Sequence, residues 1–186
     1  MSLLQKIKDR LFPAPDTTNA VPVYAEAHLI KREFVKFANA YRIGILGYYN
    51  GSANQDAISN YKKKLEQLGY ECDVLLFFDK KERDLQLYLP YFDTTILNKK
   101  TGIPESSKTD LFQVKKFDLL INLFPEPIPA LMYMAQHAQA RCRVAPHLPF
   151  LEEVSDIMVP VKEGQALSDI IDIINNTLEL KPYVRH

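Results

Sequence analysis

The sequence predicts a single α/β domain with a doubly wound, mostly parallel sheet of the Rossmann-like or flavodoxin-like type. From residue 41 onward, short apolar runs alternate with segments of helical periodicity, which is the chain order of right-handed β-α-β units. The clearest apolar run, FDLLINLF at 117–124, is hydrophobic at consecutive positions, as a strand is when helices cover both faces of its sheet. A chain of 186 residues with 47% hydrophobic residues buries such a core without a metal or disulfide.

The predicted strands and helices follow one another in alternation. Strands are expected over 41–49, 72–78, 94–97, 117–124, 142–145 and 157–161, and helices over 55–68, 107–116, 130–140 and 166–178. Right-handed connections place the 117–124 strand beside the first strand and the 72–78 strand on the first strand's other side.

The first 40 residues are predicted to be an N-terminal helical extension with a linker, and residues 41–186 to be the single α/β domain. Helices are predicted over 2–11 and 26–40, because apolar residues recur there at helical spacing. The proline-rich stretch 13–22 has the composition of a linker. We expect the two helices to pack on the exterior of the domain or on a second copy of the chain, which leaves a homodimer through these helices open.

Composition and charge exclude several classes of protein. Lys plus Arg and Asp plus Glu both number 23, so the formal charge is zero, whereas nucleic-acid binding draws on a basic excess. No apolar run is long enough to span a membrane, and the N-terminus lacks the apolar core of a signal peptide. A cytoplasmic location is expected, with Cys72 and Cys142 as buried free thiols.

The sequence lacks the motifs of the common cofactor and catalytic sites. It contains neither G-x-G-x-x-G nor G-x-x-x-x-G-K-[ST], and no G-x-S-x-G elbow. The histidines have no metal-ligand spacing. Asp79 and His147, which follow predicted strands, are interpreted as solvated loop residues. The sequence therefore predicts no cofactor and no metal, and it leaves any catalytic residue unidentified.

A candidate ligand crevice is nevertheless predicted. Parallel sheets bind ligands beyond the carboxyl ends of their strands, where the strand order reverses, which here selects the loops at 48–54 and 124–128. The candidate binding residues are Tyr48, Asn50, Gly51, Ser52, Asn122 and Glu126. Their amides and hydroxyls supply hydrogen-bond donors, and Tyr48 or Tyr49 supplies an aromatic wall while the other packs beneath a helix. The Glu126 carboxylate opposes a phosphate and favours a neutral or hydroxyl-bearing ligand.

Several segments carry a resemblance to a known family. YRIGILGYYN (41–50), LNKKTGIPES (97–106), KFDLLINL (116–123) and ARCRVAP (140–146) resemble an uncharacterised bacterial domain-of-unknown-function family of short α/β proteins. The likeness implies the fold over about 30–180 and no activity, cofactor or catalytic residue. The layout is also similar to one Rossmann-like half of a two-domain glycosyltransferase, whose second half has no counterpart here.

Two functional hypotheses follow. The first is a non-catalytic binding or interaction module for a small-molecule ligand or a protein partner. The alternative is an enzyme acting on a phosphorylated or nucleotide-linked small molecule, with the loops after the first and fourth strands as its site.

Overall fold

The computed structural model describes residues 30–79 and 87–184. The predicted helix at 2–11 and the linker at 13–22 lie outside these ranges. The strands are β1 (Arg42–Tyr48), β2 (Glu71–Phe78), β3 (Tyr91–Asp93), β4 (Lys116–Leu123), β5 (Gln139–Pro146) and β6 (Ile157–Val159). The helices are α1 (Ser52–Gln67), α2 (Ser107–Val114), α3 (Pro129–His137) and α4 (Leu167–Thr177), with 3-10 turns at Phe37–Asn39, Thr94–Ile96 and Pro149–Val154.

The strands form one parallel sheet in the order β3-β2-β1-β4-β5-β6. Ile43 of β1 lies opposite Leu119 of β4 on one side and Cys72 of β2 on the other. The predicted neighbours of β1 are therefore confirmed. The strand order reverses between β1 and β4, which makes this pair the topological switch point of a doubly wound α/β fold.

Helices cover both faces of the sheet, so the core has two layers. On one face, Ile58 and Leu65 of α1 and Ile174 of α4 pack against one set of strand side chains. On the other, Phe112 of α2 and Leu131 of α3 pack against the alternate set. We call these the α1/α4 face and the α2/α3 face. This two-sided burial explains why the strands are apolar at consecutive positions.

The predicted helix at 26–40 is wrong over residues 30–36, which form no helix or strand. Val35 and Phe37 are buried in the core of the α1/α4 face, while Phe34 is exposed. Glu33 N–H donates to the carbonyl of Arg141 at 2.9 Å, and Phe37 N–H donates to that of Leu178 at 3.2 Å. The domain itself thus satisfies these backbone donors, and an extended path buries alternate side chains.

The third strand is also displaced from its predicted position at 94–97. It occupies Tyr91–Asp93, and Thr94–Ile96 form a 3-10 turn. The Asp93 carboxylate accepts a hydrogen bond from Thr95 N–H at 2.8 Å. A side-chain cap of this kind offers the backbone an alternative to the sheet and ends the strand.

Both cysteines are free and buried, as predicted. Burial raises the pKa of the Cys72 thiol to about 12, so this thiol stays protonated at neutral pH. Within the described ranges, no helix combines the length and apolar character needed to cross a membrane.

Candidate functional site

Two glycines shape the loop that follows β1. A Cβ on Gly47 would lie 2.7 Å from Ile58 Cδ1 and 2.8 Å from Leu76 Cδ2, so only glycine lets α1 pack this closely on the sheet. Gly51 precedes α1 with φ 106° and ψ 169°, a region that L side chains rarely adopt. The chain therefore passes from the sheet into α1 along a path that glycine alone permits.

The two tyrosines at the end of β1 point to opposite faces of the sheet. Tyr49 is 9% exposed and packs edge-on against Phe78, with 5.4 Å between ring centroids. Tyr48 is half-buried against the core of the α2/α3 face, and its ring stacks on Phe77 at 6.4 Å. Tyr48 is thus the aromatic side chain that is open to the candidate crevice.

Asn122 is the most unusual polar residue near this point. It lies on β4 directly opposite Leu46 of β1 and is fully buried. Neither its Oδ1 nor its Nδ2 has a hydrogen-bond partner among the residues that the structure describes. Each buried polar atom left unpaired costs about 1–3 kcal/mol. A ligand or water that reached this carboxamide would recover much of that cost.

Tyr48 and Asn122 lie close together on the α2/α3 face. Tyr48 is two residues beyond Leu46, the residue paired with Asn122, so it shares the side of the sheet to which Leu46 and Asn122 point. A rise of about 3.3 Å per residue and a strand spacing of about 4.8 Å place the two Cα atoms about 8 Å apart. One ligand of modest size spans that distance.

The negative charges of two acidic residues act on the Tyr48 hydroxyl. Burial raises its pKa, and the negative charges of Glu126 and Asp79 raise it further. Tyr48 ends β1, and Glu126 and Asp79 follow β4 and β2, the two neighbours of β1, so all three residues lie at this edge of the sheet. Glu126 is exposed, in a tight turn where Ile128 N–H donates to the Glu126 carbonyl at 2.8 Å. Asp79 is exposed as well, and its charge acts on Tyr48. Its position in the sequence, directly after the strand that neighbours β1, could have identified it as a residue of this edge.

The remaining candidate residues lie at the start of α1. Asn50 and Ser52 are exposed and flank the half-buried Gly51. Gly51 is the N-cap residue of α1 and supplies no side-chain cap to the helix. The structure therefore divides the predicted site in two: Tyr48, Asn122 and Glu126 on the α2/α3 face, and the Asn50–Ser52 turn leading to the α1/α4 face.

One polar residue beside this turn has no counterpart among the predicted site residues. Gln55, in the first turn of α1, is 2% exposed, and its Oε1 accepts a hydrogen bond from Tyr88 N–H at 3.2 Å. This bond ties α1 to the segment that leads into β3. Nothing in the local sequence distinguishes a buried glutamine here from a solvated one.

The described residues contain no cluster of three His, Cys, Asp or Glu side chains arranged to hold a metal ion. His147, which follows β5, is exposed. Phe150 in the same loop packs on Phe124, with 6.1 Å between ring centroids, and closes the core beyond the ends of β4 and β5.

Comparison with known families agrees with this architecture. The model of a family of unknown function, DUF6913, matches residues 24–175. The chain belongs to this family. The matched range contains the whole sheet and every candidate crevice residue. No curated protein matches the sequence.

Proposed function

We propose that the protein is a non-catalytic binding module that takes a small, neutral, hydroxyl-bearing ligand in the crevice formed by Tyr48, Asn122 and Glu126. The observation that carries the proposal is the buried, unpaired carboxamide of Asn122 at the topological switch point. Ligands of open parallel sheets bind at this point of the fold. An amide that lacks partners in the free protein gains them when a polar ligand arrives.

The side chains of the crevice match a hydroxylated ligand. The Asn122 carboxamide offers a donor and an acceptor, and the Tyr48 ring offers a flat apolar surface. The carboxylates of Glu126 and Asp79 accept hydrogen bonds from hydroxyl groups and repel a phosphate. Such a set of groups favours a sugar or another polyol over an anion.

The same environment argues for binding rather than for acid–base chemistry. Burial and the two nearby carboxylates hold the pKa of the Tyr48 hydroxyl above its ordinary value. The phenol is therefore neutral at physiological pH and acts as a hydrogen-bond donor, not as a base. General bases work best with a pKa near the operating pH.

The alternative is an enzyme that acts on a phosphorylated or nucleotide-linked molecule. This hypothesis depends on the Asn50–Ser52 turn at the start of α1. The N-cap residue of α1, Gly51, has no side chain to cap the helix, and helix N-termini favour anions. A phosphorylated ligand would engage the Asn50–Ser52 turn rather than Asn122.

A thermal-shift screen with matched ligand pairs distinguishes the two hypotheses. Neutral monosaccharides and polyols are compared with their phosphate esters, using the wild type, Asn122→Leu and the Asn50→Ala/Ser52→Ala double variant. We expect neutral ligands to raise Tm of the wild type and to leave Tm of Asn122→Leu unchanged, since ligand at 100 times its Kd adds about 2.7 kcal/mol. Shifts produced by phosphate esters alone, and lost in the double variant alone, would establish the alternative.

We also propose a cellular location and a class of partner for the protein. We place the protein in the bacterial cytoplasm, which two free buried thiols support. Its partner is a small molecule rather than a nucleic acid, in keeping with the zero formal charge.

A further inference from the structure

A concave surface lies at the edge of the sheet opposite the candidate crevice, between the C-terminal ends of α1 and α4. This open concavity has a volume of about 690 Å³. The residues that line it are Lys64 of α1 and Leu68 directly after it, Asp172 and Asn175 of α4, and Leu180 and Lys181 of the chain beyond α4. We call it the α1/α4 groove. Its volume is within the range of small-molecule sites.

The wall of the groove contains a buried amide with one free donor. Asn175 is 6% exposed, and its Oδ1 accepts a hydrogen bond from the Tyr61 hydroxyl at 2.8 Å. Its Nδ2 has no partner among the described residues. Because Tyr61 occupies the oxygen, the unmet requirement is for an acceptor facing the nitrogen.

The charges in the groove favour an anion with a single negative charge. Glu179, at the rim, is paired with Lys36. Neither Lys64 nor Lys181 forms an ion pair with any described residue. Among the described residues, Asp172 is one carboxylate without an ion pair against these two ammonium groups, of which Lys181 also acts electrostatically on Glu179. Together with Glu179, Asp172 opposes a dianion such as phosphate. Leu68, Leu180 and Pro182 add apolar surface.

We propose that the α1/α4 groove is a second binding site, for an organic carboxylate with a short apolar body. The carboxylate accepts a hydrogen bond from Asn175 Nδ2 and lies between the ammonium groups of Lys64 and Lys181. The apolar body packs on Leu68 and Leu180. This site lies across the sheet from the switch-point crevice. A test of binding in the groove is therefore independent of the function proposed for the crevice.

The test is a titration of the ¹⁵N-labelled protein, followed by two-dimensional NMR, with sodium hexanoate and with hexanol as the neutral ligand of equal chain length. At constant pH and ionic strength, we expect hexanoate to shift the Asn175 side-chain amide signals together with the backbone signals of 64–68 and 180–181. Hexanol should bind about tenfold more weakly or worse, because a hydrogen bond to a charged group is worth about 1.5–3 kcal/mol. Equal shifts by both ligands, or no shift at Asn175, would overturn the proposal.

Two substitutions test the named contacts. Asn175→Asp keeps an acceptor for the Tyr61 hydroxyl but replaces the donor by a second oxygen, and should weaken hexanoate binding about tenfold or more. Lys64→Gln should weaken it about two- to fivefold, in the range of an exposed charge pair. The matched control is Lys63→Gln, which should bind hexanoate as the wild type does. Lys63 directly precedes Lys64 in α1, is exposed and does not line the groove. Equal affinities of the Lys63 and Lys64 variants would contradict the site even if Asn175→Asp failed to fold.

Discussion

The polar side chains near the two ends of β4 differ in their hydrogen bonding. At the amino end, the Asp118 carboxylate accepts hydrogen bonds from Tyr41 N–H at 2.8 Å, Arg42 N–H at 3.0 Å and the Arg141 guanidinium at 2.7 Å. Four residues later, near the carboxyl end of the same strand, both polar atoms of Asn122 are unpaired. A single strand thus contains a carboxylate with three hydrogen-bond donors and a carboxamide with no hydrogen-bond partner among the described residues.

The difference separates the edge of the sheet that carries this hydrogen-bond network from the edge at which we propose that a ligand binds. Arg141 also pairs with Glu33, so the Asp118 cluster holds the segment before β1 against the sheet. The carboxyl edge has no comparable network around Asn122 in the part of the chain that the structure describes, and it has exposed acids in its loops. Along β4 itself, the Asp118 carboxylate at the amino end is fully hydrogen-bonded, and the Asn122 carboxamide near the carboxyl end has no partner among the described residues.

The largest effect is expected from Asp118→Ala. Removing the carboxylate leaves the Arg141 guanidinium and two backbone donors without this acceptor, and should lower the free energy of unfolding by about 3 kcal/mol. Urea denaturation measures the loss. Glu163→Ala, which removes an exposed loop carboxylate, is the control and should change the free energy of unfolding by less than about 0.5 kcal/mol. Similar losses in both variants would refute a structural role for the cluster.

The pH dependence of stability provides a second test of the amino end. Burial alone raises the pKa of Asp118, but hydrogen bonds from Arg42, Tyr41 and Arg141 lower it below its ordinary value. The folded protein therefore releases this proton more readily than the unfolded chain does. The stabilisation is complete above the ordinary carboxyl pKa of about 3.9 and is lost as the pH falls through the lowered folded pKa.

The free energy of unfolding should thus differ most between the wild type and Asp118→Asn at neutral pH. The difference should shrink below about pH 4, where the unfolded chain is protonated at this position. Denaturant titrations of both proteins at several pH values measure it. A difference that stayed constant down to pH 2.5 would show that the carboxylate charge contributes nothing to the cluster.

The contrast between the ends of β4 was only partly predictable from the sequence. The apolar run around Asn122 predicts the strand, and strand order then predicts its place at the switch point. The loss of both hydrogen-bond partners depends on side chains from other strands and helices, which no local pattern specifies. The segment before β1 is the reverse case: Phe34 and Phe37 are spaced as in a helix, but the buried residues are Val35 and Phe37, and their period of two is typical of an extended chain.

A smaller effect of opposite sign is expected from Asn122→Leu. Replacing an unpaired buried carboxamide by an apolar side chain of similar size should raise the free energy of unfolding by about 1 kcal/mol. Urea denaturation measures the gain, and Asn175→Leu is the matched control. Asn175 accepts a hydrogen bond from Tyr61, so its replacement should destabilise the protein. Loss of stability in Asn122→Leu would mean that the carboxamide is satisfied in the free protein, and the contrast with Asp118 would disappear.

The smallest effect is expected at the exposed part of the carboxyl edge. Asn50 and Ser52 are exposed, and the turn between them is shaped by Gly51. The Asn50→Ala/Ser52→Ala double variant should therefore change the free energy of unfolding by no more than about 0.5 kcal/mol, as surface substitutions usually do. Urea denaturation measures the change, and Gly51→Ala is the contrasting variant. A Cβ at φ 106° meets no atom of the described residues within 4 Å, but the backbone strain should lower the free energy of unfolding by about 1–2 kcal/mol. A double variant as unstable as Gly51→Ala would mean that the Asn50 and Ser52 side chains help to build the turn. Side chains at the carboxyl edge would then also stabilise the fold. The difference between the amino and carboxyl ends of β4 would not extend to the loops beyond the strand.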